Sequence, residues 1–259
     1  MSCILKIDNL CYKTILKNIS LSLEENSFNV LISGNGSGKT TLVKAISGLI
    51  EYSGDIFLLN ELISKENIKE MRKNIGVCMM PLPSEGTVLD IIMYPLRNLN
   101  YNEKEAKEIV YKISKKLNIE DLLFKNINEL TLSRKKMVCF ASSVIHSPKL
   151  VIVDESFDEL DYYYRNKIIN YLKKMKKSTV LFITNNEEDY LLADNLIFIE
   201  DGKIVKSGSL SEIVKDSKIF INCDAKIPFF VDLSQKLKLY DLIDDTILDS
   251  KEMVDVIWK

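Results

Sequence analysis

The chain has 259 residues, 46% of them hydrophobic, and a formal net charge of −2. That length suits one large domain or a core with a small appendage, and the apolar share is ordinary for a protein that buries a sizeable core. The near-zero charge supplies no general basic field, which argues against a nucleic-acid partner.

In chain order, Lys6, Asp8 and Lys13 interrupt the opening stretch, so it carries no secretory signal pattern. Ile4-Leu5-Lys6-Ile7 and Ile19-Ser20-Leu21-Ser22-Leu23 read as alternating strands. Phe28-Asn29-Val30-Leu31-Ile32 is a short apolar strand that runs into Ser33-Gly34-Asn35-Gly36-Ser37-Gly38-Lys39-Thr40, where three of the nine glycines fall. A helix is expected next, with Leu42, Val43, Ile46 and Leu49 on one side. Residues 54–58 and 75–79 read as further strands. Asn102 and Glu105 suggest a capping box, and Ala106, Ile109, Val110, Ile113 and Leu117 trace a helical stripe. Leu150-Val151-Ile152-Val153 reads as a buried parallel strand tipped by Asp154-Glu155. Val180 to Ile183 and Leu196 to Ile199 are two more apolar strands. Strands alternating with helices predict an α/β sheet with a helical insert over about 85–147. After Gly208 strand signals fade. Asp249 and Glu252 suggest a second capping box, before an apolar helical face of Met253, Val254, Ile257 and Trp258. That face must bury itself on its own core or on another subunit.

Several features point away from other functions. The five cysteines (Cys3, Cys11, Cys78, Cys139, Cys223) include no C-x-x-C pair, so reduced thiols in a cytosolic chain fit better than a metal cluster or a disulfide framework. No apolar run approaches the ~20 residues that span a bilayer. The Lys173, Lys174, Lys176, Lys177 run reads as a solvated helix end. His146, the single histidine, reads as a helix-end residue.

The chemistry lies in two segments. A strand, a glycine loop, Lys and Thr, then a helix is the setting of a phosphate-binding P-loop. Glycines let backbone amides wrap a polyphosphate, and the helix adds its positive end. Lys39 is expected at the β- and γ-phosphates and Thr40 on Mg²⁺, with Ser33, Gly34, Asn35, Gly36, Ser37, Gly38 and Thr41 completing the cradle. Ser33 stands where the G-x-x-x-x-G-K-[ST] pattern has its first glycine. Val153-Asp154-Glu155 has the form of a Walker B strand end. Asp154 is expected to hold Mg²⁺ and Glu155 to polarise the attacking water as general base.

With these parts in order, residues 1–210 resemble the ABC ATPase family. Pro148-Lys149 precedes the Walker B strand, Leu160-Asp161 stands at the D-loop, and Asp201-Gly202-Lys203-Ile204-Val205 with Gly208 closes the core. The resemblance implies a P-loop α/β core with an antiparallel β subdomain and a helical subdomain. Residues 211–259 resemble the C-terminal extension of energy-coupling factor (ECF) transporter ATPases, through Ile227-Pro228, Val231, Leu233, Leu237, Ile247-Leu248 and Glu252-Met253-Val254. That extension helps two ATPase subunits stay paired.

The resemblance also exposes departures. Leu130-Thr131-Leu132-Ser133-Arg134 stands at the L-S-G-G-Q signature, with Leu132 and Ser133 replacing its glycines. Met80 occupies the Q-loop glutamine position and Asn185 the switch-histidine position. Tyr12 is the nearest match to an adenine-stacking aromatic, with a core tyrosine the alternative. Residues 81–96 correspond to the groove that grips a helix of the transmembrane partner, where Asp90 either faces that partner's arginine or is a solvated acid. The implied cofactors are ATP and Mg²⁺. The implied partners are a paralogous ATPase subunit, in a heterodimer, and a transmembrane coupling subunit. The implied place is the inner face of the cell membrane.

Overall fold

The computed structural model describes residues 2–34, 36–154, 160–215 and 217–257. The first part of the chain forms β1 (Cys3–Tyr12), β2 (Leu16–Glu24), β3 (Phe28–Ile32), α1 (Lys39–Ile46), β4 (Ser53–Leu58), β5 (Glu61–Leu62), α2 (Ile68–Met71) and β6 (Ile75–Cys78). The helical insert follows as α3 (Val88–Asn98), α4 (Glu103–Leu117) and α5 (Leu132–Val144). The chain then re-enters the sheet through β7 (Leu150–Asp154), α6 (Tyr162–Lys174), β8 (Thr179–Ile183), α7 (Glu187–Tyr190), β9 (Asn195–Glu200) and β10 (Lys203–Ser209). Last come α8 (Leu210–Ile213), α9 (Lys218–Asn222), α10 (Phe229–Lys238) and α11 (Ser250–Ile257).

Two sheets organise these elements. One is antiparallel, in the order β2-β1-β4-β5; the other runs β10-β9-β3-β8-β7-β6, parallel except for β10. In β2 the alternation holds: Ile19, Leu21 and Leu23 are buried while their neighbours face water. β7 is buried on both faces, as its unbroken apolar run demands. Leu150 and Ile152 join the core between the sheets and α1, and Val151 and Val153 join the core under α3 to α5.

The helical insert comprises α3, α4 and α5. Asn102 caps α4 by accepting from the Glu105 amide at 2.8 Å, but Glu105 answers the Asn102 side-chain amide (3.2 Å) instead of its backbone, so the expected box is half made. Asp249 likewise caps α11, accepting from the amides of Lys251 and Glu252. The reciprocal box lies instead at Ser209 and Glu212, at the start of α8.

The chain after residue 210 divides in two. Ile213, Phe220 and Cys223 belong to the main core, and Phe220 stacks on Tyr190 (5.7 Å) and meets Phe198 edge-on (5.2 Å). Ile243, Ile247 and Met253 form a separate small core with Phe230, Leu233 and Leu237. The expected apolar face of α11 is therefore split. Met253 is 4% exposed, whereas Val254 and Ile257 are 54% and 53% exposed. Trp258 lies outside the described residues.

Candidate functional site

Adjacency in the parallel sheet gathers the site. β3 lies between β8 and β9, and β7 lies beside β8, all parallel, so the loop after β3, the tip of β7 and the segment after β8 share one end of the sheet, the edge formed by the strands' carboxyl ends. Ligands of open α/β sheets bind at such an edge.

The loop after β3 is tightly closed. Gly36 (φ 79°) and Gly38 (φ 100°) take left-handed conformations that side chains resist. A Cβ on Gly38 would also lie 2.8 Å from a Leu16 methyl carbon. Ser33 does not take a positive φ, so no glycine is required there. Its buried hydroxyl accepts from Ser37 Oγ at 2.7 Å, a bond across the loop that glycine could not make. Gly34 would meet nothing within 4 Å if it carried a Cβ. Asn35 lies outside the described residues.

Lys39 opens α1 and is 5% exposed. Its ammonium donates to the carbonyls of Ser33 (3.1 Å) and Gly34 (3.3 Å), which holds it across the loop. Thr40 donates from Oγ1 to Asp154 Oδ2 at 3.1 Å, linking the first turn of α1 to the tip of β7. Half-buried Thr41 follows. The Thr40 hydroxyl and Asp154 carboxylate are hard oxygen donors side by side, a set that fits Mg²⁺, which keeps several waters and takes few protein ligands. Among the described residues no group of three or more His, Cys, Asp or Glu could hold a metal, so phosphate oxygens and water would complete the shell. Glu155, the expected general base, lies outside the described residues.

The ABC transporter family matches over residues 16–158. The ATP-binding protein of the energy-coupling factor transporter of Mesomycoplasma hyopneumoniae (strain 7448) is 30% identical, over 98% of this chain and 97% of its own length. The corresponding protein of Ureaplasma parvum serovar 3 is 32% identical, over 95% of this chain and 86% of its own.

The chain belongs to the ABC transporter family.

Its fold is that of the family's P-loop cassette, and its relatives make it an ECF-type ABC ATPase. The structure of cbiO1 from Clostridium perfringens, part of the ABC transporter complex cbiONQ, superposes with a TM-score of 0.72 at 25% identity, covering 91% of this chain and all of that one. A dimeric ATP-binding cassette bound to ADP and phosphate shares the fold (TM-score 0.74, 22% identity, 80% of this chain and 99% of the other).

The segments expected at the family's signature, Q-loop and switch positions lie in three parts of the fold. α5 begins inside the altered signature, with Thr131 as its N-cap and the Leu132 side chain 51% exposed. Met80 packs against the main core beside the groove between α3 and β6. Asn185 follows β8 on the site edge and is exposed. Tyr12 packs on the core between the sheets, and the Lys13 ammonium lies 5.2 Å from its ring centroid. Its hairpin reaches the loop, since Ile15 and Leu16 are the neighbours of Gly38.

Asp90 has a partner inside the chain. The Thr87 hydroxyl (2.6 Å), helped by Arg97 (3.2 Å), holds its carboxyl below the usual aspartate range. His146 follows α5, as expected, with Nε2 donating to the Ile75 carbonyl at 3.3 Å. Burial pushes its pKa down. The Lys173 to Lys177 run is solvated.

Sequence reasoning missed one buried network. Arg165 of α6 pairs with Asp189 of α7, and Thr184 donates to the same carboxylate at 2.8 Å. It ties the helix after the D-loop to the segment carrying Asn185. Its only sequence signal is a charged residue in each of two amphipathic turns, which is too common to read.

Proposed function

We propose that this chain is the nucleotide-binding subunit that energises an ECF-type importer of a vitamin or metal ion. It would work on the inner face of the membrane, paired with a paralogous ATPase and docked on a transmembrane coupling subunit. The observation that carries the reading is the Lys39, Thr40 and Asp154 constellation at one sheet edge, with bond distances of 3.1–3.3 Å.

On this reading the Lys39 ammonium leaves the Ser33 and Gly34 carbonyls for the β- and γ-phosphates of ATP. Thr40 and Asp154 would hold Mg²⁺, which when bound supplies charge neutralisation between the phosphates. Glu155 would orient and deprotonate the attacking water. Tyr12, or the Ile15 surface beside it, would meet the base. No helix among the described residues is long and apolar enough to cross a membrane. Attachment would use the 640 Å³ groove lined by Arg72, Val77, Met79, Leu82 and Tyr94, into which a helix of the coupling subunit would pack.

A second reading is a nucleotide-binding scaffold with little turnover. Exposed Leu132 favours it, because a leucine side chain now stands where a missing one lets the backbone approach a γ-phosphate. Loss of one transition-state donor costs about 10²–10³ in rate. The pure chain should therefore bind MgATP and turn it over near background. Replacing Lys39 by Ala removes a charged hydrogen-bond donor, which should weaken binding roughly ten- to a hundredfold. Calorimetry showing unchanged affinity would remove the nucleotide assignment. Brisk hydrolysis by the pure chain would remove the need for an unlike partner.

A further inference from the structure

Two cysteines far apart in sequence meet beneath the groove. On β6, Gly76 and Cys78 are two apart and share a face. On α5, Cys139 and Ser143 are one turn apart. A Cβ on Gly76 would overlap the Ser143 carbonyl, so strand and helix are at closest approach there. Two strand residues span ~6.6 Å and one helical turn ~5.4 Å, so the same register brings Cys78 to Cys139. The geometry bears this out: Cys139 Sγ donates at 3.5 Å to the carbonyl of Met79, the residue after Cys78, and both cysteines belong to one buried cluster. Both thiols are buried, Cys139 at 4% exposure and Cys78 at 0%. Cys139 lines the 640 Å³ groove, whereas Cys78 lies behind it.

We propose that Cys78 and Cys139 form an oxidisable dithiol, a modification site at which hydrogen peroxide or another hydroperoxide makes a disulfide that ties α5 to β6. Cys139 attacks first. Its thiolate sulfur attacks one peroxide oxygen and breaks the O–O bond, giving the sulfenic acid; the other oxygen takes up the proton lost from the thiol and leaves as water, or as the alcohol from an organic hydroperoxide. The Cys78 sulfur then attacks the sulfenic sulfur, forming the S–S bond and releasing water. Two S–H bonds and the O–O bond are lost, and two electrons pass from the sulfurs to the peroxide. The hydrogen bond from Cys78 holds the Cys139 thiol below the usual cysteine value, which favours the attacking form. Cys223, by contrast, is pushed up to about 11 by burial. In a reducing compartment such a bond is transient and regulatory.

The consequence follows from what the bond would join. α5 starts in the altered signature segment, and β6 runs directly into Met79 and Met80. A covalent tie fixes the angle between the helical insert and the sheet, and with it the reach of residues 130–134 toward a paired subunit.

The test treats the folded full-length chain with hydrogen peroxide, quenches with an alkylating agent under denaturing conditions, and maps the peptides. The expected result is a fall of two in the titratable thiols, from five. A linked peptide pair containing Cys78 and Cys139 should appear, fully reversed by a thiol reductant. With Cys78→Ser, a sulfenic-acid trap should label Cys139. Wild-type protein in which Cys78 and Cys139 both stay titratable while Cys3 or Cys11 is consumed would overturn the proposal, with no dependence on a variant folding or on nucleotide binding.

Discussion

At position 33 the chain does without a glycine because the backbone there asks for none, and the hydroxyl it carries instead closes the loop onto Ser37. The substitution that restores the family residue should therefore weaken the protein. Ser33→Gly removes a buried hydrogen bond, about 1 kcal/mol, and frees the unfolded chain by a further ~0.4–1 kcal/mol. Chemical denaturation without nucleotide should show a midpoint shifted down by that sum; a stabilised variant would contradict the loop-closing role. The P-loop was legible in sequence because its requirements are local: left-handed glycines, a lysine, a hydroxyl and a helix start. The Arg165–Asp189–Thr184 network was not. Its members lie on two different helices and a strand end, and only the sheet order brings them together.

Elements were readable where one periodicity decides burial, as in β2, β7 and α4, and not readable where tertiary contacts decide it. Phe220 is such a case. It sits in a short helix of the expected appendage, yet it is fully buried against Tyr190 and Phe198 of the main core. Phe220→Ala should cost about 3–5 kcal/mol. Phe229→Ala, at a site 67% exposed in the next helix, should stay within about 0.5 kcal/mol. Thermal denaturation of the two variants separates an integrated α9 from a detachable one. His146 makes a second element-scale prediction, since it bridges the end of α5 to the start of β6 through Ile75. The charged groups around it on the groove wall are Lys69, Glu70, Arg72 and Lys73. Desolvation lowers its folded pKa below the ordinary 6.5. The unfolded chain therefore binds the extra proton first, and stability from the neutral ring is present above about pH 6.5 and lost as pH falls below it. His146→Gln should flatten the loss of melting temperature between roughly pH 6.5 and 5. An unchanged slope would show that the acid-side loss comes from other groups.

For the whole molecule, the arrangement of faults argues for an unlike pair. A homodimer would set Met80, Asn185 and the Leu132-bearing segment around both nucleotides. In a pair with a more complete paralogue, each site carries one class of fault. The partner's own lysine, glutamate, glutamine and histidine would face residues 130–134 here, and this chain's Lys39, Thr40 and Asp154 would face the partner's intact signature. The surface adds a second argument. The extension leaves Leu239, Tyr240 and Leu242 exposed at 81%, 76% and 64%, and Val254 and Ile257 of α11 at 54% and 53%. Met253 is already spent on the extension's own small core, so the contact available to another subunit is this outer strip. It keeps Val254 and Ile257 of the face the sequence suggested and adds residues outside α11. Apolar side chains gathered at one end of a chain are what the buried centre of a subunit interface uses. Co-expression with the paralogue, followed by native mass spectrometry, should give a one-to-one complex that hydrolyses ATP. Replacing Leu239 and Leu242 by Asp should dissociate that complex while leaving the melting temperature of this chain unchanged. A stable homodimer that hydrolyses ATP with no paralogue bound would refute the unlike pair. A complex indifferent to the two Asp substitutions would move the contact off the extension.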